Sequence, residues 1–452
     1  MVQTEEREKK FDELYSAAMA ALHEGNSNAA RLLSKAAAFA PELWCAKATK
    51  ISADDEPLAL KCFNEVLTAT KITAVHALAI NEIGRILANR GQNEEALEYF
   101  TKAHQLSPQH TGIMSNLGLL NRWNGDLKQA GRWLSRALAI NPWEHAAQLE
   151  SAFVKMLSGD YAAGFREYEA RWRTPGGSLK KVECLKPEWD GAEIRGECNP
   201  RSLYVYGEQG SGDIFLMLRY ARMIRALGMR QTWVVHTSMQ PLVSLIEEID
   251  LVQVSGQEAP EFDCHIAAAS LPLMFGTTID TVPDGIVFQR EKIVPKDYGP
   301  GLHVGIAWRG SRLQLNDRIR STNLDQWRPV FDVPGVTFHS LQVDGSEEGL
   351  LYPRLNMDAN AVDWKETAAR MLGLDLVISV DTSVVHAAGS LGVPCWCALH
   401  CRPYFVFPLV REDCPWYPTV RLFKQRKEFE WHPVFQNIAN ELSQTLLSWQ
   451  TI

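Results

Sequence analysis

Gly84, Ala96, Phe100, Ala103 and Pro108 return 34 residues later as Gly118, Ala130, Leu134, Ala137 and Pro142. No other feature of the chain restricts its fold as tightly. Small residues at matched positions let two antiparallel helices approach closely, and the proline ends the second helix of each unit. A third copy follows with Gly159, Gly164 and Tyr168, ending in "REYEARWR". Upstream, Ala29, Leu33, Ala36 and Pro41 fit a further copy, and Ala59 with Phe63 fit a looser one. About five units over residues 1–175 are expected.

The 34-residue period with this residue pattern is that of tetratricopeptide repeats. Such an α-solenoid offers a concave surface to a peptide or protein, so a protein partner is expected there. An array that only rigidifies or dimerises the chain is the alternative.

Beyond "RWRTPGGSLKKVECLKPEWDGAEIRGECNP", a polar linker, short β-rich runs alternate with helical or turn segments. "SLYVY", "TWVVH", "LVQVS" and "CHIAA" form one series; "LHVGIAW", "VTFHSLQ", "LDLVISV" and "PCWCAL" form a second, from Gly301 onward. Alternation of this kind implies parallel sheets covered on both faces. The expected class is therefore α plus α/β. A helical solenoid (1–175) precedes two Rossmann-like doubly wound domains (176–300 and 301–425), and a closing helix (426–452) carries Val434, Ile438, Leu442 and Leu446 at helical spacing.

Bulk properties exclude several roles. The 452 residues are 46% hydrophobic and 22% charged, with a net charge of −8. That balance argues against nucleic acid or an anionic membrane as main partner. The charged opening segment is no secretory signal, and no apolar run is long enough to span a membrane. Nine cysteines without a framework fit reduced thiols, so a cytoplasmic location is expected. Cys395, Cys397 and Cys401, with His400 nearby, suggest zinc at first sight, but Cys395 and Cys397 fall within an apolar strand without the paired two-residue spacing, so small buried hydrophobes are the better account.

Three stretches carry candidate chemistry. "GEQGSGD" (207–213) sits between a strand and a helix, where glycine turns seat phosphates, but Asp213 stands where such a loop carries lysine. "DLVISVDTSVVHAAGSLGVPCW" ends a strand at Asp381-Thr382-Ser383 and starts a helix with His386 one turn in. Two readings stand side by side there: a diphosphate seat on the helix start, or a helix cap with His386 packed in the core. "IAWRGSRLQLNDRIRST" places Gly310 and the guanidinium groups of Arg309, Arg312, Arg318 and Arg320 on a loop at a strand exit, suited to bidentate phosphate recognition or to plain solvation. Gln342 falls at another strand end, where its amide is placed to read a base or phosphate.

Together, "GDYAAGFREYEARW", "YGEQGSGD", "SLP", "NDRIRST", "SLQ", "VDTSVVHAAGSLGVP" and "DCPWYPTVRLFKQ" resemble the bacterial tetratricopeptide-repeat glycosyltransferases of GT-B fold, related to the ADP-heptose heptosyltransferases. The resemblance implies inverting, metal-independent sugar transfer from a nucleotide-diphosphate sugar to an acceptor hydroxyl, on a protein held by the repeats or on a surface glycan, with no further cofactor. Asp213 matches the proposed general base, on an acceptor-side loop with Gly207, Gly210 and Gly212. Asp381, Thr382, Ser383 and His386 match the donor-phosphate motif, and Arg320, Gln342 and Gly310 are carried over with them. Ser211 and "WRGS" depart from the family pattern, which leaves the donor open. The competing reading is a non-catalytic repeat scaffold with a degenerate transferase half.

Overall fold

The computed structural model describes residues 2–23, 56–69, 73–173, 181–311, 317–343, 346–357, 361–409 and 413–449, with isolated positions between them. The expected Ala29, Leu33 and Pro41 lie outside the described residues, as does Arg312. The chain divides into two compact units, Met1–Ser151 and Ala152–Ile452.

In the first unit, paired helices follow the 34-residue period: Thr73–Asn89 with Asn93–Leu106, then Thr111–Trp123 with Leu127–Ile140. The repeated small residues do what their spacing implies. A Cβ on Gly118 would lie 2.5 Å from Leu134 Cγ, so only glycine admits this helix crossing. Ala96, Phe100, Ala103, Ala130, Leu134 and Ala137 are buried, and so are Ala36, Ala59 and Phe63 upstream. Asp126 starts its helix by accepting from the Gln129 N–H at 2.9 Å, and Asp160, 34 residues on, does the same for Ala163 at 3.1 Å.

The second unit opens with the rest of the third copy, the Tyr161–Tyr168 helix and a 3-10 turn at Glu169–Trp172, and continues into two parallel sheets. The first sheet contains β1 (Ser202–Tyr206), β2 (Arg230–Val235), β3 (Leu251–Val254) and β4 (Cys264–Ala267), in the order β3-β2-β1-β4. The second contains β5 (Leu302–Ala307), β6 (Val336–Ser340), β7 (Leu355–Asn356), β8 (Leu376–Val380), β9 (Cys395–Leu399) and β10 (Val420–Lys424). Its order, β10-β9-β8-β5-β6-β7, is the doubly wound arrangement of a dinucleotide-binding fold. The expected fold class, a tetratricopeptide solenoid followed by two Rossmann-like domains, is the one observed.

Three details differ from expectation. β7 is two residues long and leaves no periodic trace. β10 (VRLFK) carries Arg421 and Lys424 among its apolar residues, as an edge strand tolerates, and so does not read as a buried run. The linker is also more than a spacer. Residues 187–189 pair with the free edge of β4, through Trp189 N–H to His265 O at 2.8 Å and His265 N–H to Pro187 O at 3.1 Å. The closing helix, His432–Trp449, buries Val434, Ile438 and Leu442 against the second sheet.

The Gly118 crossing yields a prediction. Gly118→Val should destabilise the helical unit by about 2 kcal/mol, because overpacking outweighs the helix propensity gained. Urea unfolding followed by far-UV circular dichroism measures it; an unchanged midpoint would mean that the two helices do not approach there.

Candidate functional site

In a doubly wound sheet, ligands bind at the carboxyl ends of the strands where the order reverses. In the first sheet that point lies between β1 and β4, and in the second between β5 and β8. The candidate residues leave the sheets at these two places: Gly207–Asp213 after β1, Trp308–Gly310 after β5, and Asp381–Ser383 after β8.

The first loop begins with Gly207, whose N–H still pairs with Val234 O at 3.1 Å, and turns at Gly210, the N-cap of the Ser211–Met217 helix. Asp213 lies in the first turn of that helix and is half-buried. Two effects oppose each other at its carboxyl. The Gly210 N–H, its own N–H and the Tyr404 phenol favour the charged form. Burial, assisted by the nearby Glu208 carboxyl, disfavours it and wins, lifting Asp213 from its ordinary 3.8 to about 6. Capping of the kind that holds a carboxylate acidic is therefore outweighed, and the group titrates close to neutrality.

A network from the last helical pair supports this loop. Arg171 donates to Glu169 at 2.6 Å, to Glu208 at 3.1 Å and to Ser270 Oγ at 2.7 Å. Burial pushes Glu208 up, against the pull of Arg171. Gln209 donates to Tyr168 Oη at 2.8 Å, and Tyr168 Oη lies 3.3 Å from Tyr404 Oη.

At the second switch point, Thr382 caps the Ser383–Leu391 helix, its Oγ1 accepting from Val384 N–H at 3.2 Å. Asp381 is buried with its carboxylate turned inward toward His400 Nε2 at 3.4 Å. Since His400 Nδ1 accepts from the Arg402 N–H at 3.2 Å, Nε2 carries the proton and donates to Asp381. Burial alone would raise the Asp381 carboxyl, but this bond and the nearby His386 and Arg320 hold it below its usual value. Asp381 thus anchors the loop from beneath.

Arg320 bridges the switch point, its Nη1 donating to Asp381 O at 3.2 Å. Its guanidinium occupies the space a Cβ on Gly310 would need, at 2.3 Å, which explains the glycine. The Arg320 Nε has no hydrogen-bond acceptor among the described residues; Asp317 Oδ1 lies 3.6 Å away. Gln342 Oε1 accepts from the Trp308 and Arg309 N–H groups at 3.2 and 3.1 Å, so this oxygen shapes the loop instead of facing a ligand.

The two helix starts meet directly. A Cβ on Gly212 would sit 2.9 Å from His386 Cδ2, so the loop of Asp213 rests on the His386 ring. The other side of that ring meets Tyr417, with Nδ1 3.1 Å from its Oη. Burial lowers His386 to about 4, against the pull of Asp381 and with help from Arg219 and Arg320, so the ring is neutral at physiological pH. Asp213, Gly212, His386, Thr382, Ser383, Asp381, Arg320 and Gly310 therefore gather at adjoining strand ends. Arg318 does not join them: it is exposed and lies over Phe429 at 5.5 Å. Sequence reasoning missed Tyr168, Arg171, His400 and Tyr404. The first two stand inside the quoted "REYEARW"; His400 stands out in the sequence only through its nearness to the cysteines, and nothing in the spacing marks Tyr404.

The sign of the Asp213 shift gives a test. Its folded value lies above the unfolded one, so its contribution to stability is present below about 3.8 and is lost as pH rises through about 6. Asp213→Asn should exceed the wild type in stability by about 2 kcal/mol at pH 8, allowing for solvent screening at a half-buried group. The two proteins should converge near pH 4. Melting curves across pH measure this, and a constant gap between them would rule out the raised titration.

Residues 87–152 match the tetratricopeptide-repeat family. Over 404 residues the chain is 22% identical to Protein FlbA of Caulobacter vibrioides, covering 81% of this chain and 67% of that protein. A 94-residue stretch is 28% identical to the BBSome complex member BBS4 of Bos taurus, covering 21% of this chain and 18% of that protein. Among solved structures, the E. coli ADP-heptose LPS heptosyltransferase II is similar with a TM-score of 0.40 and 12% identity, covering 55% of this chain and 99% of that one. A Thermobaculum terrenum O-GlcNAc transferase variant is similar with a TM-score of 0.33 and 13% identity, covering 90% and 92%.

Proposed function

We propose that the chain is an inverting glycosyltransferase that moves a sugar from a nucleotide-diphosphate sugar to an acceptor hydroxyl. The observation that carries this reading is the contact between two helix starts. One bears a carboxyl raised to about 6, and the other is capped by Thr382 at a switch point with Arg320 beside it. A transfer of this kind needs a base on one side of the anomeric carbon and positive potential for the departing diphosphate on the other.

In the proposed step, the Asp213 carboxylate takes the proton of the acceptor hydroxyl as its oxygen attacks the anomeric carbon. The new carbon–oxygen bond forms on the face opposite the leaving group. The bond to the diphosphate breaks, and its electron pair leaves with the nucleoside diphosphate, so configuration inverts. The Ser383 helix start offers N–H groups and a partial positive charge to the phosphates. Arg320 adds a full charge, whereas the neutral His386 supplies shape and at most an uncharged N–H donor. Nothing in this scheme calls for a metal. The acceptor is proposed to lie on a protein held by the tetratricopeptide unit.

A thermal-shift screen with ADP, UDP and GDP and their sugar conjugates tests the reading. One nucleotide diphosphate should raise the melting temperature, and Arg320→Ala should weaken its binding about tenfold. Asp213→Asn should keep that binding while slowing transfer by about 10²- to 10⁴-fold. Absence of any shift at millimolar nucleotide, or undiminished transfer by Asp213→Asn, would overturn the assignment.

A further inference from the structure

The crevice of the first sheet lies between the loops that leave β1 and β4, and one side chain from outside both loops bridges it. Arg171 belongs to the turn Glu169–Trp172 behind the last repeat helix. Its Nη2 reaches the first loop at Glu208 Oε1, 3.1 Å away, and the second at Ser270 Oγ, 2.7 Å away. Its Nη1 donates to Glu169 Oε1 at 2.6 Å, and Ser270 Oγ donates to that same oxygen at 2.7 Å. The guanidinium lies 4.4 Å from the Trp172 ring and 4.8 Å from the Tyr168 ring. The Arg171 and Glu208 side chains are 2% and 3% exposed, so the bridge is made out of water. Oxygens from three segments thus converge on one planar fork, a geometry that a lysine ammonium does not reproduce.

The bridge stands at the switch point between β1 and β4, where a doubly wound sheet opens to its ligand. The second sheet is built alike: Arg320, after β5, bonds Asp381 O, after β8, across its own switch point. Two residues beyond Glu208, the Gly210 carbonyl accepts the Asp213 and Ile214 N–H groups at 3.1 and 3.2 Å. A tether at Glu208 therefore fixes where the helix of Asp213 begins. We propose that Arg171 is a positioning residue that clamps the Asp213 loop to the turn after β4, so that the acceptor side of the centre is complete only with the last repeat turn docked. The arginine acts through Glu208 and touches no reacting atom. Removing the guanidinium strands the Glu208 carboxylate, which draws the loop toward water.

The inference rests on the transferase reading with Asp213 as base, but its test needs no substrate. Hydrogen–deuterium exchange of the full-length protein is read at the Asp213 and Ile214 amides and, as an internal standard, at the amides of β1. Arg171→Met should speed exchange at the two loop amides about tenfold, with β1 unchanged. Arg171→Lys, which keeps the charge but not the fork, should give a smaller rise at the same amides. Adding Glu208→Gln to Arg171→Met removes the stranded charge and should recover stability to urea, while the two amides stay fast because the tether is still missing. Recovery of wild-type exchange in that double variant would make the pair purely structural and overturn the proposal. So would wild-type exchange in folded Arg171→Met, or a rise shared equally by β1. Should Arg171→Met not fold, wild-type exchange in Arg171→Lys overturns it. A nucleotide screen without any shift would sink the transferase reading and leave this result standing, whereas unchanged exchange would remove the role of Arg171 and leave nucleotide binding untouched.

Discussion

Three segments of the second unit meet on Trp416. Its indole N–H donates to Tyr161 Oη at 2.9 Å, and its backbone carbonyl accepts from Arg219 Nη2 at 2.9 Å. The same guanidinium lies over the Trp416 and Tyr417 rings at 5.0 Å. Tyr161 belongs to the last helical pair, Arg219 to the first α/β domain and Trp416 to the second. All three are buried, so each bond is made out of water, where breaking it strands a polar group at a cost of about 1–3 kcal/mol. Phe165 and Phe405 fill the space around them edge to face. The joint has consequences farther up. Gly212 meets the His386 ring, and Tyr404 meets Gln209, only because the two α/β domains are held at a fixed distance.

Burial then acts in opposite directions on the two titratable groups beside this joint. It raises Asp213 and lowers His386, so near neutral pH the carboxyl is close to its midpoint and the imidazole is uncharged. A neutral ring lets the Gly212 turn lie against it without burying a charge. Positive charge comes from the Arg320 guanidinium and from the Ser383 helix start. The Asp381 carboxylate is turned inward toward His400 instead of toward this helix start.

Much of this was legible in the sequence, for reasons that can be named. The 34-residue recurrence of Gly84, Ala96 and Phe100 as Gly118, Ala130 and Leu134 reports a helix crossing that only small residues permit. All eight quoted runs fall on strands; β1, β4, β5, β8 and β9 are largely buried and so nearly continuous in apolar residues, whereas β3 at its sheet edge is not. The candidate residues fell at strand ends for the same reason: where a buried run stops, the chain reaches the rim of the sheet. What could not be read was orientation. Gln342 and Asp381 occupy the right ends but turn their oxygens toward backbone and His400, and no spacing rule encodes a rotamer. Tyr404 could not be read either, since it reaches Gln209 from almost two hundred positions away.

The helical repeat also concealed where function begins. By period alone, Tyr161–Tyr168 is one more repeat helix, and its Asp160 cap and Gly164 obey the pattern. By contact it belongs with the α/β domains: the compact division falls at Ser151, ahead of it. Its aromatic face supplies Tyr161 to Trp416 and Tyr168 to Tyr404, and the turn after it supplies Arg171 to Glu208. A repeat helix is free to take this second task because the repeat code constrains only the positions at helix crossings. The remaining face is open to selection by whatever packs against it. The stretch "REYEARW" is therefore better understood as the first element of the candidate centre than as the last of the solenoid, and a chain cut at the end of the 34-residue period would lose the support of Asp213 along with the repeat.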